Sequence, residues 1–595
     1  MRRLLLLPVL AAGLLFAAPL RAQTSTSMDL AGTWKFFKGD NSNYAKTEFD
    51  DALWKESAVP GSWQAQGNPD LKGFAWYRTH VALPAQWGRN PLVTGGKAVL
   101  YLDLGKISDA YEVYWNGAVI SAGGKLPPAF AAATGDVHAG VPTDKSTFGG
   151  DNVLAVRVYG KEAASGIVAG PLSLREPSFG DFLNVTIVGK DNRTEFTGPD
   201  GLTFDVSVEN QGIAAWQKGT VMLTVLDGGG KTIITLPMMV DVNPQRTFTT
   251  TMQLKEADLN PGIYTVNAGT QMGGTTFQTT SKTFVFNPGG IHSATFKSPD
   301  QMKAFTAKLD AFWKTTLTAL KATPLAPTAT QDTAKSTEKV KVYKVTFAGL
   351  KGQAIYGWYC VPAIAVKSPG VVVLPGYGNT SVDPPTLLAE KGFATLAINV
   401  LGSDVDAKTY PSEAESYLKG GFADPNTFVM RGMVAAGIRA FDFLAQRLEV
   451  RTDRLGVAGM SQGGGLALDV AGLDPRVNVV VASSPAADFT RMFRQARQNP
   501  ASGLLAALSA TDKIQLEQTM ALFDPAFLAA RICVPTLITV GMKDAVVPPE
   551  TAYTVKNAIP QGVAVMIQAD EMSGHQVTPS QAAASLQWLT KFLLG

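Results

Sequence analysis

Cysteine and histidine are scarce in this 595-residue chain, which has two cysteines and four histidines. Cys360 and Cys533 each lie in an apolar run that predicts a strand, where a cysteine usually packs as a small hydrophobic residue. Two cysteines exclude a framework of several disulfides, although one bridge between them is compatible with an oxidising compartment. The histidines are widely spread, so the sequence predicts no zinc site and no other metal centre.

An excess of charge of one sign is also lacking. The 52 Lys and Arg residues nearly balance the 49 Asp and Glu residues, which leaves a formal net charge of +3. So small a charge gives no reason to expect nucleic acid or an anionic membrane as a partner. Hydrophobic residues make up 46% of the chain, as in ordinary soluble globular proteins. The chain is too long for one hydrophobic core, so we expect several domains.

Residues 1–22 predict a secretory signal peptide. Arg2 and Arg3 precede an apolar run at 4–20, and Arg21-Ala22-Gln23 follows it. This is the order of the basic, apolar and cleavage regions of such signals. The apolar run is shorter than the ~20 residues that span a bilayer, which argues against a membrane anchor. We therefore expect a secreted or periplasmic protein without membrane association after cleavage.

Short alternating runs separated by Gly, Pro and Asn dominate residues 28–176 and predict an N-terminal β-sandwich. Aromatic residues favour half-buried sheet surfaces, so we expect those of this region to pack in its core. They include Trp34, Trp54, Trp63, Trp76, Tyr77 and Trp115. The order of Gly32-Thr33-Trp34, Val59-Pro60-Gly61-Ser62-Trp63 and Trp76-Tyr77-Arg78 resembles the jelly-roll sugar-binding domain that precedes the catalytic parts of β-galactosidase-like glycosidases. The resemblance implies a galactose-binding-like jelly roll and leaves open whether it binds sugar.

Residues 180–288 contain further β-runs, joined by Asn-Gln-Gly and Gly-Gly-Gly turns. An immunoglobulin-like β-sandwich fits this pattern. The region carries no catalytic combination of residues. We therefore predict that it is a spacer between the outer domain and the rest of the chain.

From residue 296 to residue 595, predicted strands alternate with predicted helices. A helical segment at Ser298–Leu320 comes first, and the buried-strand candidates include Val371–Leu374, Leu455–Ala458 and Thr536–Val540. This alternation predicts a mostly parallel sheet with helices on both faces. The ~300 residues suit a single catalytic domain.

A nucleophile elbow is predicted at Gly459-Met460-Ser461-Gln462-Gly463, where a buried strand passes directly into a helix. The turn is sharp, and glycine two residues before and two after the serine permits the close backbone contact that it needs. Ser461 then presents its hydroxyl above the sheet edge, and the N–H of Gln462 faces the position of an oxyanion. The pattern predicts a serine hydrolase of the α/β-hydrolase fold.

His575 is the predicted general base. A serine hydroxyl needs a base to take its proton, usually a histidine that a carboxylate holds. Among the histidines, His575 alone lies in the hydrolase domain, and it follows Ser461 as the chain order of this fold requires. Two carboxylates could orient it, because Asp544 and Asp570 both precede it. Asp544 follows the end of a strand, where this fold keeps its acid, so we favour Asp544 over Asp570.

A second oxyanion donor is predicted after an earlier central strand. Val371–Leu374 leads into Pro375-Gly376-Tyr377-Gly378, where glycines let the backbone approach a ligand. The N–H of Tyr377 is the candidate donor. A simple strand-exit turn is the alternative, since Gly-rich turns are common.

Over residues 309–595 the chain resembles the acetyl xylan esterase and cephalosporin C deacetylase family. The matching stretches include Phe312-Trp313-Lys314, Gly352-Gln353, Ser461-Gln462-Gly463-Gly464-Gly465 and Asp474-Pro475-Arg476-Val477. The resemblance implies a catalytic triad of Ser461, Asp544 and His575. It also implies oxyanion donors at the N–H groups of Tyr377 and Gln462, and removal of small acetyl esters from sugars.

The sequence therefore predicts an exported serine esterase that deacetylates an acetylated glycan or a small sugar ester without a cofactor. One alternative is an exported α/β-hydrolase peptidase or an esterase for another acyl group. Another is a carbohydrate-binding protein with weak hydrolase activity. The glycan, the acetyl position and the oligomeric state are left open.

Overall fold

The computed structural model describes residues 27–89, 99–197, 201–212, 215–254, 259–272, 275–296, 298–364, 367–378, 382–406, 421–495, 505–506 and 508–595. The predicted signal peptide lies outside these residues. Within them the chain forms two β-sheets in its first part, two in its middle part and one in its last part. No helix in these ranges is long and apolar enough to cross a membrane.

The first part of the chain folds into two β-sheets that share one hydrophobic core. The strands are β1 (Ser27–Asp29), β2 (Gly32–Lys38), β3 (Lys55–Val59), β4 (Gly61–Ser62), β5 (Gly73–Ala82), β6 (Val99–Ser108), β7 (Ala110–Trp115), β8 (Ala118–Gly123), β9 (His138–Pro142), β10 (Asp151–Gly160) and β11 (Gly166–Arg175). One sheet has the order β1-β11-β6-β9, with β4 paired to β11, and the other has the order β3-β2-β5-β10-β7-β8. Side chains that point inward from both sheets fill the space between them.

The six Trp and Tyr side chains that the sequence analysis named in this part are buried, as the strand pattern predicts. Trp34, Trp63, Tyr77 and Trp115 lie between the two sheets, and Trp54 and Trp76 lie in a smaller cluster beside Tyr44 and Phe49. Their exposed fractions are 0% for Trp63, Trp76, Tyr77 and Trp115, 2% for Trp34 and 6% for Trp54. None of these six rings therefore offers a face on which a sugar could stack.

The middle part also forms two sheets around a single core. Its strands are β12 (Leu183–Gly189), β13 (Glu195–Phe196), β14 (Leu202–Asn210), β15 (Trp216–Asp227), β16 (Thr232–Val242), β17 (Arg246–Leu254), β18 (Gly262–Met272) and β19 (Thr275–Phe286). The sheet orders are β12-β14-β17 and β13-β19-β18-β15-β16. Residues of β14 are alternately buried and half-buried, because successive side chains of a strand point to opposite faces.

The last part is built on one nine-stranded sheet. Its strands are β20 (Thr328–Gln331), β21 (Val340–Ala348), β22 (Ala354–Pro362), β23 (Ser368–Leu374), β24 (Ala394–Asn399), β25 (Val450–Met460), β26 (Val479–Ser483), β27 (Thr536–Gly541) and β28 (Val565–Asp570). The order is β20-β21-β22-β24-β23-β25-β26-β27-β28. The pairs from β24 to β28 along this order are parallel, whereas the pairs that join β20, β21, β22 and β24 are antiparallel.

Helices pack against both faces of this sheet. They are α1 (Pro299–Ala322), α2 (Thr386–Glu390), α3 (Val429–Ala445), α4 (Gln462–Leu473), α5 (Phe489–Gln495), α6 (Ala510–Met520), α7 (Pro525–Leu528), α8 (Glu550–Ala558) and α9 (Pro579–Leu589). Val372 and Val480 belong to the core on one face, whereas Val371 and Val479 pack with Leu589 on the other. Burial on both faces explains why these strands are continuous apolar runs.

Helix α1, at the start of the last part, packs against the hydrophobic core on one face of the sheet. It begins after Ser298, whose side chain accepts a hydrogen bond from the N–H of Gln301, with Pro299 in the first turn. Trp313 is buried and donates its indole N–H to the carbonyl oxygen of Leu522 at 2.9 Å. The position of α1 agrees with the predicted helix at Ser298–Leu320.

The prediction that Cys533 packs in an apolar strand is wrong. Cys533 is exposed and precedes β27, which begins only at Thr536. Pro535 intervenes, and a proline has no N–H to donate to a neighbouring strand. Cys360 is buried within β22, as expected, and both cysteines are free thiols.

The middle sheets lie directly against the last part of the chain. Ile263 and Val285 belong to the same hydrophobic core as the nine-stranded sheet. On α8, the hydroxyl of Tyr553 hydrogen-bonds to the carboxylate of Glu195 at 3.0 Å. The side-chain amide of Asn557, also on α8, donates to the carbonyl oxygens of Pro288 and Ile291 at 2.7 and 2.9 Å. Apolar and polar contacts thus join the two parts along α8.

Candidate active site

Ser461 occupies the sharp turn between β25 and α4. Its φ of 58° and ψ of −121° are uncommon for a residue with a side chain, and such strain costs about 1–3 kcal/mol. Its N–H donates to the carbonyl oxygen of Ser483 at 2.8 Å. Its own carbonyl oxygen accepts from the N–H groups of Gly465 and Ala486 at 3.0 and 2.9 Å. The adjacent strand and helix therefore hold the strained turn in place.

The glycines around Ser461 are required by close backbone contacts. A Cβ atom at Gly459 would lie 2.2 Å from the carbonyl oxygen of Gly463. A Cβ atom at Gly463 would lie 2.2 Å from the carbonyl oxygen of Leu374. Both obstructing atoms belong to the backbone and cannot rotate away. This explains why glycine stands two residues before and two after the serine.

The structure brings together the three side chains that the sequence analysis selected. Nε2 of His575 is 2.9 Å from Oγ of Ser461, and Nδ1 of His575 is 2.7 Å from Oδ2 of Asp544. An ionised carboxylate only accepts hydrogen bonds, so Nδ1 carries the proton and Nε2 accepts the one from the serine hydroxyl. The side chain of Asp544 is fully buried, whereas that of His575 is 20% exposed. This geometry can transfer a proton from Ser461 to His575.

The turn after β27 orients Asp544. Its Oδ1 accepts hydrogen bonds from the N–H groups of Val546 and Val547 at 2.9 and 2.8 Å. Its Oδ2 is therefore directed towards His575 and accepts the hydrogen bond from Nδ1. The alternative carboxylate, Asp570, ends β28, and its Oδ1 accepts from the N–H groups of Met572 and Ser573. Asp570 thus shapes the loop that leads to His575.

A narrow, mostly apolar pocket of about 60 Å³ lies beside Ser461. Tyr377 and Gln462, whose N–H groups are the predicted oxyanion donors, line it together with Ser461. The rest of the wall is mainly apolar and includes Met430, Leu466, Phe489, Met492 and Met520. One water-sized group needs about 10–15 Å³ of such space, so the pocket has room for roughly four to six of them. A volume of this size suits a short acyl chain.

A buried carboxyl group in this pocket was missed by the sequence analysis. Asp469 lies on α4, lines the pocket and is 1% exposed. Within the described residues, neither of its carboxyl oxygens has a hydrogen-bond partner. Burial, together with the nearby carboxylate of Asp524, holds the pKa of Asp469 well above its usual range. The available signal was one charged residue in the otherwise uncharged run 463–473.

Asp524 and Asp488 lie behind the pocket wall near Asp469. Asp524 accepts hydrogen bonds from the N–H groups of Asp488, Phe489 and Ala526 at 2.7–2.9 Å. Burial and the charge of Asp488 raise the pKa of Asp524 to about 7. Asp488 itself forms an ion pair with Arg491 at 2.9 Å. In the part of the chain that the structure describes, no group of three or more His, Cys, Asp or Glu residues is arranged to hold a metal ion.

A second cleft, of about 420 Å³, adjoins the loop that carries Asp544. One wall consists of residues of the middle part, among them Asp227 and Thr265. The other wall includes Asp544 and Glu550, and burial raises the pKa of Glu550. The middle part, predicted to be a spacer, therefore also borders the surface next to the candidate site.

Comparison with known proteins places this site in one family. The family acetyl xylan esterase (AXE1) matches residues 296–592. The acetyl esterase Axe7A of Xylanibacter ruminicola is 30% identical over 310 residues, which cover 49% of this chain and 70% of that protein. The matched family region contains Ser461, Asp544 and His575.

Two solved structures are each similar to half of the chain. The acetyl xylan esterase from Paenibacillus sp. R4 is 25% identical with a TM-score of 0.45, over 50% of this chain and 100% of that one. Acetyl xylan esterase 1 from Thermoanaerobacterium sp. JW/SL YS485 is 22% identical with a TM-score of 0.43, over 50% of this chain and 99% of that one. From the family match and the identity to its relative, we conclude that this chain belongs to the acetyl xylan esterase family of carboxylic ester hydrolases.

Proposed function

We propose that this protein is an exported serine esterase that removes acetyl groups from acetylated sugars or polysaccharide through an acyl-enzyme. The observation that carries the proposal is the hydrogen-bonded line from Ser461 through His575 to Asp544, beside a narrow apolar pocket. Membership of the acetyl xylan esterase family supports acetyl as the acyl group. The order of basic, apolar and polar residues at 1–22 supports export.

The first step acylates Ser461. Its Oγ attacks the carbonyl carbon of the ester while Nε2 of His575 takes the hydroxyl proton. Asp544 stabilises the imidazolium through the Nδ1–H group. The N–H groups of Tyr377 and Gln462 donate hydrogen bonds to the oxyanion. The bond to the sugar oxygen then breaks, and His575 gives its proton to the leaving hydroxyl group.

The second step releases the acid. A water molecule attacks the carbonyl carbon of the acyl-enzyme while His575 takes one of the water protons. The same two N–H groups hold the second oxyanion. When this intermediate collapses, acetate leaves and Ser461 regains its proton from His575. Each step uses groups of this chain and water.

The two β-rich parts would hold the hydrolase domain on its glycan. We assign residues 28–176 to a jelly roll of the galactose-binding type and residues 180–288 to an immunoglobulin-like sandwich. Two sheets around one core in each part support the assignment. The six Trp and Tyr rings described above are buried, so sugar binding in the first part would not use stacking on them.

The narrow pocket also bears on the alternatives. A peptidase would need space for a substantial part of a peptide beside the nucleophile, and about 60 Å³ is small for that purpose. The hydrogen bonds that join Ser461, His575 and Asp544 favour an active hydrolase over a carbohydrate-binding protein with weak hydrolase activity. An esterase for a short, unbranched acyl group agrees best with the site.

The test compares hydrolysis of 4-nitrophenyl acetate and of acetylated xylan by the full mature chain, Ser461→Ala and His575→Ala. We expect wild type to release acetate from both substrates and each variant to be inactive. Activity on the small ester alone would show that the natural substrate is a different ester. Activity that survives Ser461→Ala would refute the mechanism.

A further inference from the structure

The pocket beside Ser461 extends beyond the length of an acetyl group. It follows α4 from Ser461 past Gly465 to Asp469, which are spaced four residues apart and share one helix face. Eight residues of helix correspond to a rise of about 12 Å. Helical side chains lean back towards the N-terminus, which shortens the gap by a few ångströms. A two-carbon acyl group on Ser461 would still end well short of Asp469.

The carboxyl group of Asp469 lacks hydrogen bonds at this far end. Neither of its oxygens has a partner within the described residues, and a buried unpaired polar group costs about 1–3 kcal/mol. Burial raises the pKa of Asp469, which favours its protonated form, and a protonated carboxyl group presents one O–H donor and one carbonyl acceptor. Asp469 is one of the residues that line the pocket, so an acyl chain that fills the pocket would pack against it.

Apolar side chains line most of the pocket that contains Asp469. Met430, Leu466, Phe489 and Met520 line the same cavity as Asp469. A water molecule in a buried site needs 2–4 polar partners, and such surroundings supply few besides the carboxyl group. A polar group on a bound acyl chain would satisfy Asp469 better than a single water molecule.

We propose that Asp469 is a specificity-determining residue that recognises a hydrogen-bonding group near the end of an acyl chain of about five carbons. This inference rests on the proposed function, because it uses the same nucleophile and the same acyl-enzyme. Acetyl esters remain substrates, since they fill only the near end of the pocket. An apolar chain of the same length would cover the carboxyl group without pairing it, and would therefore react less efficiently.

The test uses two esters of equal chain length. 4-Nitrophenyl 4-oxopentanoate has a ketone carbonyl group at the fourth carbon of the acyl chain, where 4-nitrophenyl pentanoate has a methylene group. Rates are divided by those of hydroxide-catalysed hydrolysis to remove the difference in intrinsic reactivity. We expect wild type to prefer the oxo ester in kcat/KM by about tenfold, which corresponds to ~1.4 kcal/mol.

Two variants separate hydrogen bonding from size. Asp469→Asn keeps a donor in nearly the same shape and should retain the preference, whereas Asp469→Ala should bring the ratio close to one. Hydrolysis of 4-nitrophenyl acetate by both variants shows whether each one folds into an active esterase, and the ratio between the two longer esters does not depend on that overall activity. A wild-type ratio near one, or an unchanged ratio in Asp469→Ala, would overturn the inference. Wild type that fails to hydrolyse 4-nitrophenyl acetate would instead overturn the esterase function itself.

Discussion

The imidazole of His575 contacts the hydroxyl of Ser461 at 2.9 Å although the two residues are 114 positions apart in the chain. Parallel strands bring them together. Ser461 directly follows β25, and His575 lies in the loop after β28. The pairings of β25 with β26, β26 with β27 and β27 with β28 are all parallel, so their carboxyl ends lie at one edge of the sheet. That edge is where α/β sheets form their sites.

Replacing Ser461 by glycine should separate chemistry from backbone strain. Both Ser461→Ala and Ser461→Gly should hydrolyse 4-nitrophenyl acetate at least ~10³-fold more slowly, because the nucleophile is missing. Glycine adopts a φ of 58° without steric cost, so Ser461→Gly should be more stable than Ser461→Ala by about 1 kcal/mol. Urea unfolding followed by circular dichroism measures the difference. Equal stability of the two variants would contradict the strain at this turn.

Asparagine substitutions should distinguish the two carboxylates near His575. Asp544→Asn should lower kcat by about 10²–10⁴-fold, because an amide cannot stabilise the imidazolium or hold its tautomer. Asp570→Asn should keep kcat within about tenfold and mainly lower stability, since Asp570 accepts hydrogen bonds within the loop. Steady-state kinetics and thermal unfolding of both variants provide the test. The reverse pattern would transfer the orienting role to Asp570.

A methyl group at Gly463 should disrupt the nucleophile turn. The new Cβ atom would lie 2.2 Å from the carbonyl oxygen of Leu374, so β23 and α4 would have to separate. We expect Gly463→Ala to lose several kcal/mol of stability and most of its esterase activity. Gly289→Ala is the matched control, because a Cβ atom there meets nothing within 4 Å. Thermal unfolding of the purified variants decides between them, and a Gly463→Ala protein as stable as the control would contradict the close contact.

Asp469 should make the folded protein less stable as the pH rises. Burial raises its pKa in the folded chain, whereas in the unfolded chain an Asp titrates near ~3.9. Unfolding above that pH therefore releases a proton, and the free energy of unfolding falls as the pH rises towards the raised pKa. Asp469→Asn removes this titration, so its free energy of unfolding should rise relative to that of wild type as the pH increases from 5 to 7. The rise is at most about 1.4 kcal/mol per pH unit and applies while the pH lies below the raised pKa of Asp469. Urea unfolding at both pH values measures it, and a constant difference between the two proteins would refute the raised pKa.

Much of the hydrolase fold was accessible from sequence because its elements carry strong local signals. The predicted strands Val371–Leu374 and Thr536–Val540 fall within β23 and β27. Such strands are buried on both faces and remain continuous apolar runs in any context. The prediction for Cys533 failed because an apolar run does not show where strand pairing begins, and Pro535 delays it.

Ser461 and His575 could be selected from sequence alone. The glycine spacing around Ser461 reflects a purely local requirement, the room that a sharp turn needs. His575 followed from counting, since the other three histidines of the chain all lie before residue 296, where the hydrolase region begins. The family resemblance added the expectation of an acetyl ester as substrate.

The tertiary structure alone decided two further points: that Asp544 rather than Asp570 contacts His575, and that Asp469 lines the pocket beside Ser461. Each depends on which distant segments pack together. A motif records the local geometry that a few neighbouring residues must adopt. Distances, burial and pKa shifts arise only when the sheet, its helices and the adjoining β-rich parts have assembled around those residues.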